Sequence, residues 1–187
     1  AGWRDMHSDQ AALRVWFDLA RAGNFPSVAS NVLAALVFST AQVALGWPAP
    51  GTFALAAIAG CLIYAGGATF NDVADAAFDA RHRPERAIPR GTVTRATAAW
   101  VAGAEMALGA GMLVYAGASL AWALALVATI LAYDWIHKKW IGSVVLMAGC
   151  RVLLALTVAS VPGRAFTPAL LAWVAVGMLL LCEVDAR

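Results

Sequence analysis

Asp72, Asp75 and Asp79 place three carboxylates at intervals that align them, in a chain otherwise poor in charge. On a helix, spacings of three and then four residues put these side chains on one face, where they can converge on a single ion. Asn71, four residues before Asp75, lies close to the same face. Carboxylates crowded in this way repel one another unless a cation sits among them. Oxygen-only donors favour a hard divalent ion, and Mg²⁺ held by one or two carboxylates keeps positions open for phosphate oxygens. Asn71, Asp72, Asp75 and Asp79 are therefore candidate metal ligands. The three acids are candidate catalytic residues for chemistry on a phosphorylated substrate. A solvated loop at the end of an apolar segment would scatter its acids instead.

Arg81, Arg83, Arg86 and Arg90 follow directly. A diphosphate departs more readily when a metal ion and cationic side chains neutralise its developing charge. Arg offers bidentate geometry to phosphate oxygens, which makes Arg83, Arg86 and Arg90 candidate substrate contacts, although such residues also anchor membrane proteins by the positive-inside rule. Pro84 and Pro89 stiffen the segment and Gly91 relieves it. A shaped loop of this kind can cover a reactive intermediate and keep water out.

A second polar segment carries Tyr133, Asp134, His137, Lys138 and Lys139. Lys138 or Lys139 is a candidate further cation for the diphosphate, against the commoner use of lysine pairs as topology and lipid contacts. Asp134 and His137 complete no nucleophile or zinc pattern and rank as secondary. Glu105 and Arg151 stand inside apolar segments. Charges at that depth must face the bundle interior, a cavity or a partner. The two can pair with each other, or Arg151 can contact substrate. Asn24 and Asn31, seven residues apart, share a face and are placed to line a cavity.

These groups must be positioned by membrane helices. Of 187 residues, 62% are hydrophobic and 13% charged, with a mean hydropathy of +0.74, whereas a soluble domain carries about 25% charged residues. Six segments meet the roughly 17–25 residues needed to cross a bilayer: Pro26 to Leu45, Thr52 to Phe70, Ala96 to Tyr115, Ala118 to Trp135, Ile141 to Val161 and Thr167 to Leu181. The expected fold is an all-α polytopic transmembrane bundle forming one domain over residues 1–187. Gly46 to Gly51, Gly117, and Val161 to Arg164 are the expected breaks, Gly117 being the weakest. Gly60, Gly66, Gly67, Gly103, Gly109 and Gly111 are expected to let helices pack closely. Eleven basic residues, from Arg4 to Arg187, fall on one side of this topology and only Arg164 in a loop on the other, which places both termini and both polar segments in the cytoplasm. The high Ala, Gly and Val content points to a bacterial cytoplasmic membrane.

Other classes are disfavoured. The net charge of +2 does not indicate nucleic acid, because the basic residues border apolar spans or follow carboxylates. Cys61, Cys150 and Cys182 lie in apolar segments without a zinc or disulfide pattern. The leader up to Asn24 has several charges and no long apolar centre, so it does not read as a cleaved signal. Leu13, Trp16, Phe17 and Ala20 recur at helical spacing opposite Arg14, Asp18 and Arg21, describing a helix lying on the membrane surface.

Asn71 to Asp79 fits N-D-x-x-D-x-x-x-D, and Arg83-Pro84-Glu85-Arg86-Ala87-Ile88-Pro89-Arg90-Gly91 resembles the R-P-x-R-P-I-P-x-G that follows it in the UbiA superfamily of intramembrane prenyltransferases. Arg21 to Ala34 resembles that family's entry to the first helix, and a lesser resemblance is to the EboC-like branch. The resemblance implies a helical bundle around a central cavity, binding Mg²⁺ and an isoprenyl diphosphate at its cytoplasmic mouth. The prenyl group would pass to an aromatic or other lipophilic acceptor. By the same resemblance Asn71, Asp72, Asp75 and Asp79 would hold metal and diphosphate, Arg86 and Lys138 would contact the diphosphate, and Asn24 would line the cavity. Family members have about nine spans and a second acidic motif after the sixth. Here only Glu183 and Asp185 stand at that point, so the chain is expected to represent about two thirds of the fold and to be incomplete at its C-terminus. A non-catalytic protein that binds or moves a prenylated lipid is the alternative.

Overall fold

The computed structural model describes residues 13–41, 49–137 and 143–161, together with 172, 176 and 177. Every regular element among them is helical. After a helical stretch over 13–19 and a 3₁₀ turn at Ala22–Asn24, the chain forms α1 (Phe25–Ala41), α2 (Pro50–His82), α3 (Arg95–Tyr115), α4 (Leu120–Ile136) and α5 (Ser143–Ala159). Three helices are long and apolar enough to cross a membrane by length and composition: Ala22–Ser39, Pro50–His82 and Arg95–Tyr115. The apolar helices Leu120–Ile136 and Val145–Ala159 are shorter. The first five expected spans thus coincide with helices, while the sixth lies almost wholly outside the described residues. Trp100, Leu108, Leu120, Leu124 and Trp135 turn large apolar side chains outward, as a lipid-facing surface requires.

Helix α2 departs most from expectation. It does not stop at Phe70 but runs for 33 residues, about 50 Å at 1.5 Å per residue, against a hydrocarbon core of about 30 Å. Pro50 stands at its N-terminus, where a missing N–H costs nothing. Its C-terminus falls at Arg83, whose φ of −145° and ψ of 61° leave the helical region just before Pro84, as the steric clash of a following proline favours. No Gly or Pro intervenes between Phe70 and His82. The acidic residues therefore ride on a rigid helical extension beyond the apolar span. Thr94 caps the next helix, its Oγ1 accepting the Thr97 N–H at 3.0 Å.

Helix α2 packs against α1, α3 and α4, while α5 packs against α1 and α4. The α2–α3 pair is the closest. A Cβ built on Gly109 would stand 2.6 Å from the Ala59 carbonyl oxygen, and one on Gly66 would stand 2.7 Å from that of Ala102. Ala56, Ala59, Ala98 and Ala102 are fully buried in the same seam, the small-residue packing that lets membrane helices approach. Gly103 and Gly111 do not share this role, because nothing lies within 4 Å of a Cβ at either. Gly117 provides the turn expected between α3 and α4, with φ of 104°, and a Cβ there would meet the Val161 carbonyl oxygen at 2.8 Å.

The main core joins Val32 and Leu36 of α1, Ile63 of α2, Leu113 of α3, Leu126 of α4 and Val158 of α5. A second cluster at the polar end joins Leu19, Val73, Val93 and Ala98, with Trp16, Ala87 and Ile88 against them. The leader helix is consequently docked on protein by one apolar side and presents Leu13 and Phe17 outward on another, so it is more than a strip lying on lipid.

Replacing Gly109 by Leu forces side-chain atoms into the Ala59 backbone and is expected to destabilise the fold by about 1–3 kcal/mol. Gly103→Ala and Gly111→Ala, in open space, are expected to be neutral or slightly stabilising. Thermal unfolding of the three variants in detergent checks the contrast.

Candidate active site

The acidic extension of α2 is met by two guanidiniums and an imidazole drawn from three other parts of the chain. Arg86 Nη1 lies 2.6 Å from Asp72 Oδ1 and 3.4 Å from Asp79 Oδ2. Arg21 NH2 approaches Asp72 Oδ1 at 3.5 Å and donates to Asn71 Oδ1 at 3.3 Å. His137 Nε2 is 3.3 Å from Asp75 Oδ1. Asp79 is 1% exposed, and its Oδ2 makes no hydrogen bond, so the off-axis contact with Arg86 is electrostatic. Removing Arg86 would strand that charge out of water, the costly way to break a buried pair.

The loop after α2 delivers Arg86 to this position. Backbone N–H groups of Arg86, Arg90, Gly91 and Thr92 donate to carbonyls within 83–88, and Gly91 takes φ of 77°. Ala87 and Ile88 anchor the loop on the second apolar cluster. The stiffness expected from Pro84 and Pro89 is realised as a chain of turns folded over the acids. Arg83 points outward, exposed, with Arg86 alone of the two engaging the carboxylates. Arg95 Nε donates to the Val73 carbonyl at 3.0 Å and ties the start of α3 to the same extension.

Beside this cluster opens a cavity of about 780 Å³, within the usual range for a small-molecule site. Its walls come from α1, α2, α4 and α5 and are mainly apolar, including Val28, Ile63, Leu126 and Leu154. Tyr64, Gly67 and Asn71 line it from successive turns of α2. Asn24 also faces it, donating to the Tyr64 hydroxyl at 2.6 Å. Asn31 and Arg151 complete much of the polar lining.

The predicted residues therefore fall into two groups. Asn24, Asn71 and Arg151 line the cavity, whereas Asp72, Asp75 and Asp79 stand at its border and are turned to Arg86, Arg21 and His137. The acids do not converge on one point as their spacing led us to expect. Among the described residues, no group of three or more His, Cys, Asp or Glu side chains is arranged to hold a metal ion. Asp72 and Asp79 instead share Arg86, Asp72 also meets Arg21, and Asp75 faces the His137 imidazole. The donor set still suits a hard ion, being entirely oxygen, with the buried Asp79 Oδ2 and Asp134 Oδ2 lacking hydrogen-bond partners. Lys138, Glu183 and Asp185 lie outside the described residues.

Asp134, which completes no pattern in the sequence, is central here. It is 4% exposed, lines the cavity, and accepts a hydrogen bond from Asn71 Nδ2 at 3.1 Å. A polar residue two before the end of an apolar helix carries no distinctive sequence signal, and its partner lies 63 residues away. Arg21, on the polar side of the leader helix, likewise carries no site signal in the sequence. Its φ of 48° is the sole positive value at a non-glycine among the described residues, a strained backbone held where its side chain meets Asn71 and Asp72.

Arg86→Ala is expected to lower stability by about 1–3 kcal/mol, the usual cost of stranding a buried polar group. It should also free the loop, seen as faster tryptic cleavage at Arg83 and Arg90. Unchanged cleavage would show that the apolar anchors hold the loop without the ion pairs.

The family model described as UbiA prenyltransferase family matches residues 31–184. A solved structure reported under "Structural and mechanistic insights into the biosynthesis of Digeranylgeranylglyceryl phosphate synthase in membranes" is similar in fold, with a TM-score of 0.77 at 18% identity. The likeness covers 91% of this chain and 60% of that one. No curated protein matches the sequence.

Proposed function

The chain belongs to the UbiA prenyltransferase family, and on that premise we propose that it moves an isoprenyl group from its diphosphate to an aromatic or other lipophilic acceptor. The observation that carries this reading is the adjacency of two unlike sites: an acid-and-guanidinium cluster on the extension of α2, and a mainly apolar cavity sharing Asn71 and Arg21 with it. A prenyl diphosphate has the same two parts. Its anionic head matches the cluster and its hydrocarbon tail matches the cavity.

In the proposed reaction the bond from the first prenyl carbon to the bridging diphosphate oxygen breaks, the diphosphate leaving with the electron pair. The acceptor nucleophile then bonds to that carbon and loses a proton. Mg²⁺, when bound, would supply positive charge that stabilises the departing diphosphate; Asn71, Asp72, Asp75 and Asp79 are its proposed ligands. Arg86, with Arg83 and Lys138, is assigned to the diphosphate oxygens, a role for which guanidinium geometry is suited. For Arg86 this means leaving Asp72 and Asp79, whose charge the metal would then balance. Asp134 orients the Asn71 amide through the hydrogen bond that it accepts, and Arg21 meets that amide's oxygen from the other side. Asn24 and Tyr64 hold one another at the cavity wall. The apolar walls would exclude water, which otherwise competes for a prenyl cation. The basic residues bordering the spans favour a reading in which this end of the bundle, with both chain ends, faces the cytoplasm of a bacterial cell.

Membranes containing the chain, incubated with labelled geranylgeranyl or farnesyl diphosphate, Mg²⁺ and quinone precursors, test the assignment. Asp75→Ala is expected to reduce product at least about 100-fold with expression intact, a loss on the scale of removing one electrostatic stabiliser. Chelation of divalent ions should abolish product and added Mg²⁺ should restore it. Full turnover by Asp75→Ala, or in chelator, would remove the acidic cluster from the reaction.

A further inference from the structure

The Asn71 carboxamide is held from both ends by groups that leave it one orientation. Its Nδ2 donates to Asp134 Oδ1 at 3.1 Å, and its Oδ1 accepts from Arg21 at 3.3 Å. An ionised carboxylate only accepts hydrogen bonds and a guanidinium only donates them. Turning the amide over would set oxygen against oxygen and N–H against N–H, making both contacts repulsive. Asn71 Oδ1 is thereby directed to the side of Asp72, whose Oδ1 lies 3.5 Å from the same Arg21 nitrogen. Consecutive helical residues point about 100° apart, so spacing alone does not bring these two oxygens to one cation. The fold does so with the help of a carboxylate from α4.

Asp134 is costly where it stands. It is the fifteenth of the 17 residues of α4 and only 4% exposed, and its Oδ2 has no hydrogen-bond partner. A buried carboxylate is stable when paired with a cation or well supplied with donors. Asp134 enters no salt bridge among the described residues, because its neighbours Arg21 and His137 face Asp72 and Asp75. The side-chain hydrogen bond that it does accept comes from Asn71. An apolar residue would pack α4 at this position without the cost of the charge. What the carboxylate adds is a fixed direction for the Asn71 amide.

We propose that Asp134 is a positioning residue for divalent-cation binding: it turns the Asn71 amide oxygen toward Asp72, so that both oxygens can meet one cation as they now meet Arg21. The proposal rests on the reading that Asn71 and Asp72 hold the cation of a prenyl-transfer site. Groups that orient a metal ligand from behind are worth about 10- to 100-fold in metal affinity. An amide needs such a group more than a carboxylate does, because one of its two ends is a donor that repels the metal.

The test is binding of Mn²⁺ alone, followed by electron paramagnetic resonance, to the chain in lipid nanodiscs without isoprenyl diphosphate. Asp134→Asn is nearly isosteric, but its amide can donate to Asn71 Oδ1 as well as accept from Nδ2, so the orientation is no longer imposed. Mn²⁺ affinity is expected to fall about tenfold or more, and Asn71→Ala should lower it at least as far. Combined with Asn71→Ala, Asp134→Asn should cost nothing further, because no amide is left to orient. Loss of a direct ligand or of a negative charge would instead add to the Asn71→Ala effect. Asn71→Asp is a second arm that leaves α4 intact. It brings one more carboxylate to the site but sets it against Asp134, and should bind Mn²⁺ no more tightly than the native chain. Native affinity in Asp134→Asn, additive losses in the double variant, or tighter binding by Asn71→Asp each overturns the proposal. Should Asp134→Asn fail to fold, the Asn71→Asp result decides. The metal assignment itself fails in a different way: the native chain binds no Mn²⁺, or Asn71→Ala binds it as well as the native chain, and the positioning role falls with it. The expected pattern in a chain that forms no prenylated product upholds the positioning role and refutes the transfer reading instead.

Discussion

Backbone groups inside a bilayer must find their hydrogen bonds within the segment, because no water is present to accept them. Helix α2 obeys this constraint and then exceeds it, continuing through Asn71 to His82 until Pro84 ends it. The consequence governs the polar end of the molecule. Asn71, Asp72, Asp75 and Asp79 are fixed relative to one another by helix geometry and relative to the cavity by the packing of the same helix lower down. A loop in their place would have set neither relation. The close α2–α3 seam, with Gly66 and Gly109 admitting backbone carbonyls, holds this helix against a neighbour that contributes nothing to the described cavity wall.

On that rigid post the fold collects charge from distant sequence. Arg21 arrives from the leader, Arg86 from the following loop and His137 from the end of α4. The two guanidiniums are delivered by apolar anchoring: Leu19 beside Arg21, Ala87 and Ile88 beside Arg86, all in one cluster with Val73, Val93 and Ala98. Hydrophobic burial thereby sets electrostatics at the polar end. The arrangement is poised, because the same carboxylates that hold Arg86 are the proposed ligands of a divalent cation.

Much of this was legible in the linear sequence, for reasons of range. Helical spans follow from runs of apolar residues, and the alignment of Asp72, Asp75 and Asp79 follows from 3.6 residues per turn, which are both local properties. The break at Arg83-Pro84 is local as well, and its signal was outweighed by the apparent end of hydrophobicity at Phe70. Glycine roles were only half readable. Gly66 and Gly109 face backbone while Gly103 and Gly111 face open space, and nothing in their flanking residues separates the pairs.

The sequence by itself determined the helical membrane class, the acid spacing and the Arg-Pro loop that marks the family. Tertiary structure alone decided which charges answer one another. It joined Asp134 to Asn71 across 63 residues, brought Asp72 and Asp79 to Arg86 and Asp75 to His137, and gave Arg151 no ion pair among the described residues. The physical reason is that periodicity assigns a residue to a face, whereas an ion pair depends on the crossing of two helices. That crossing is set by packing over the whole seam.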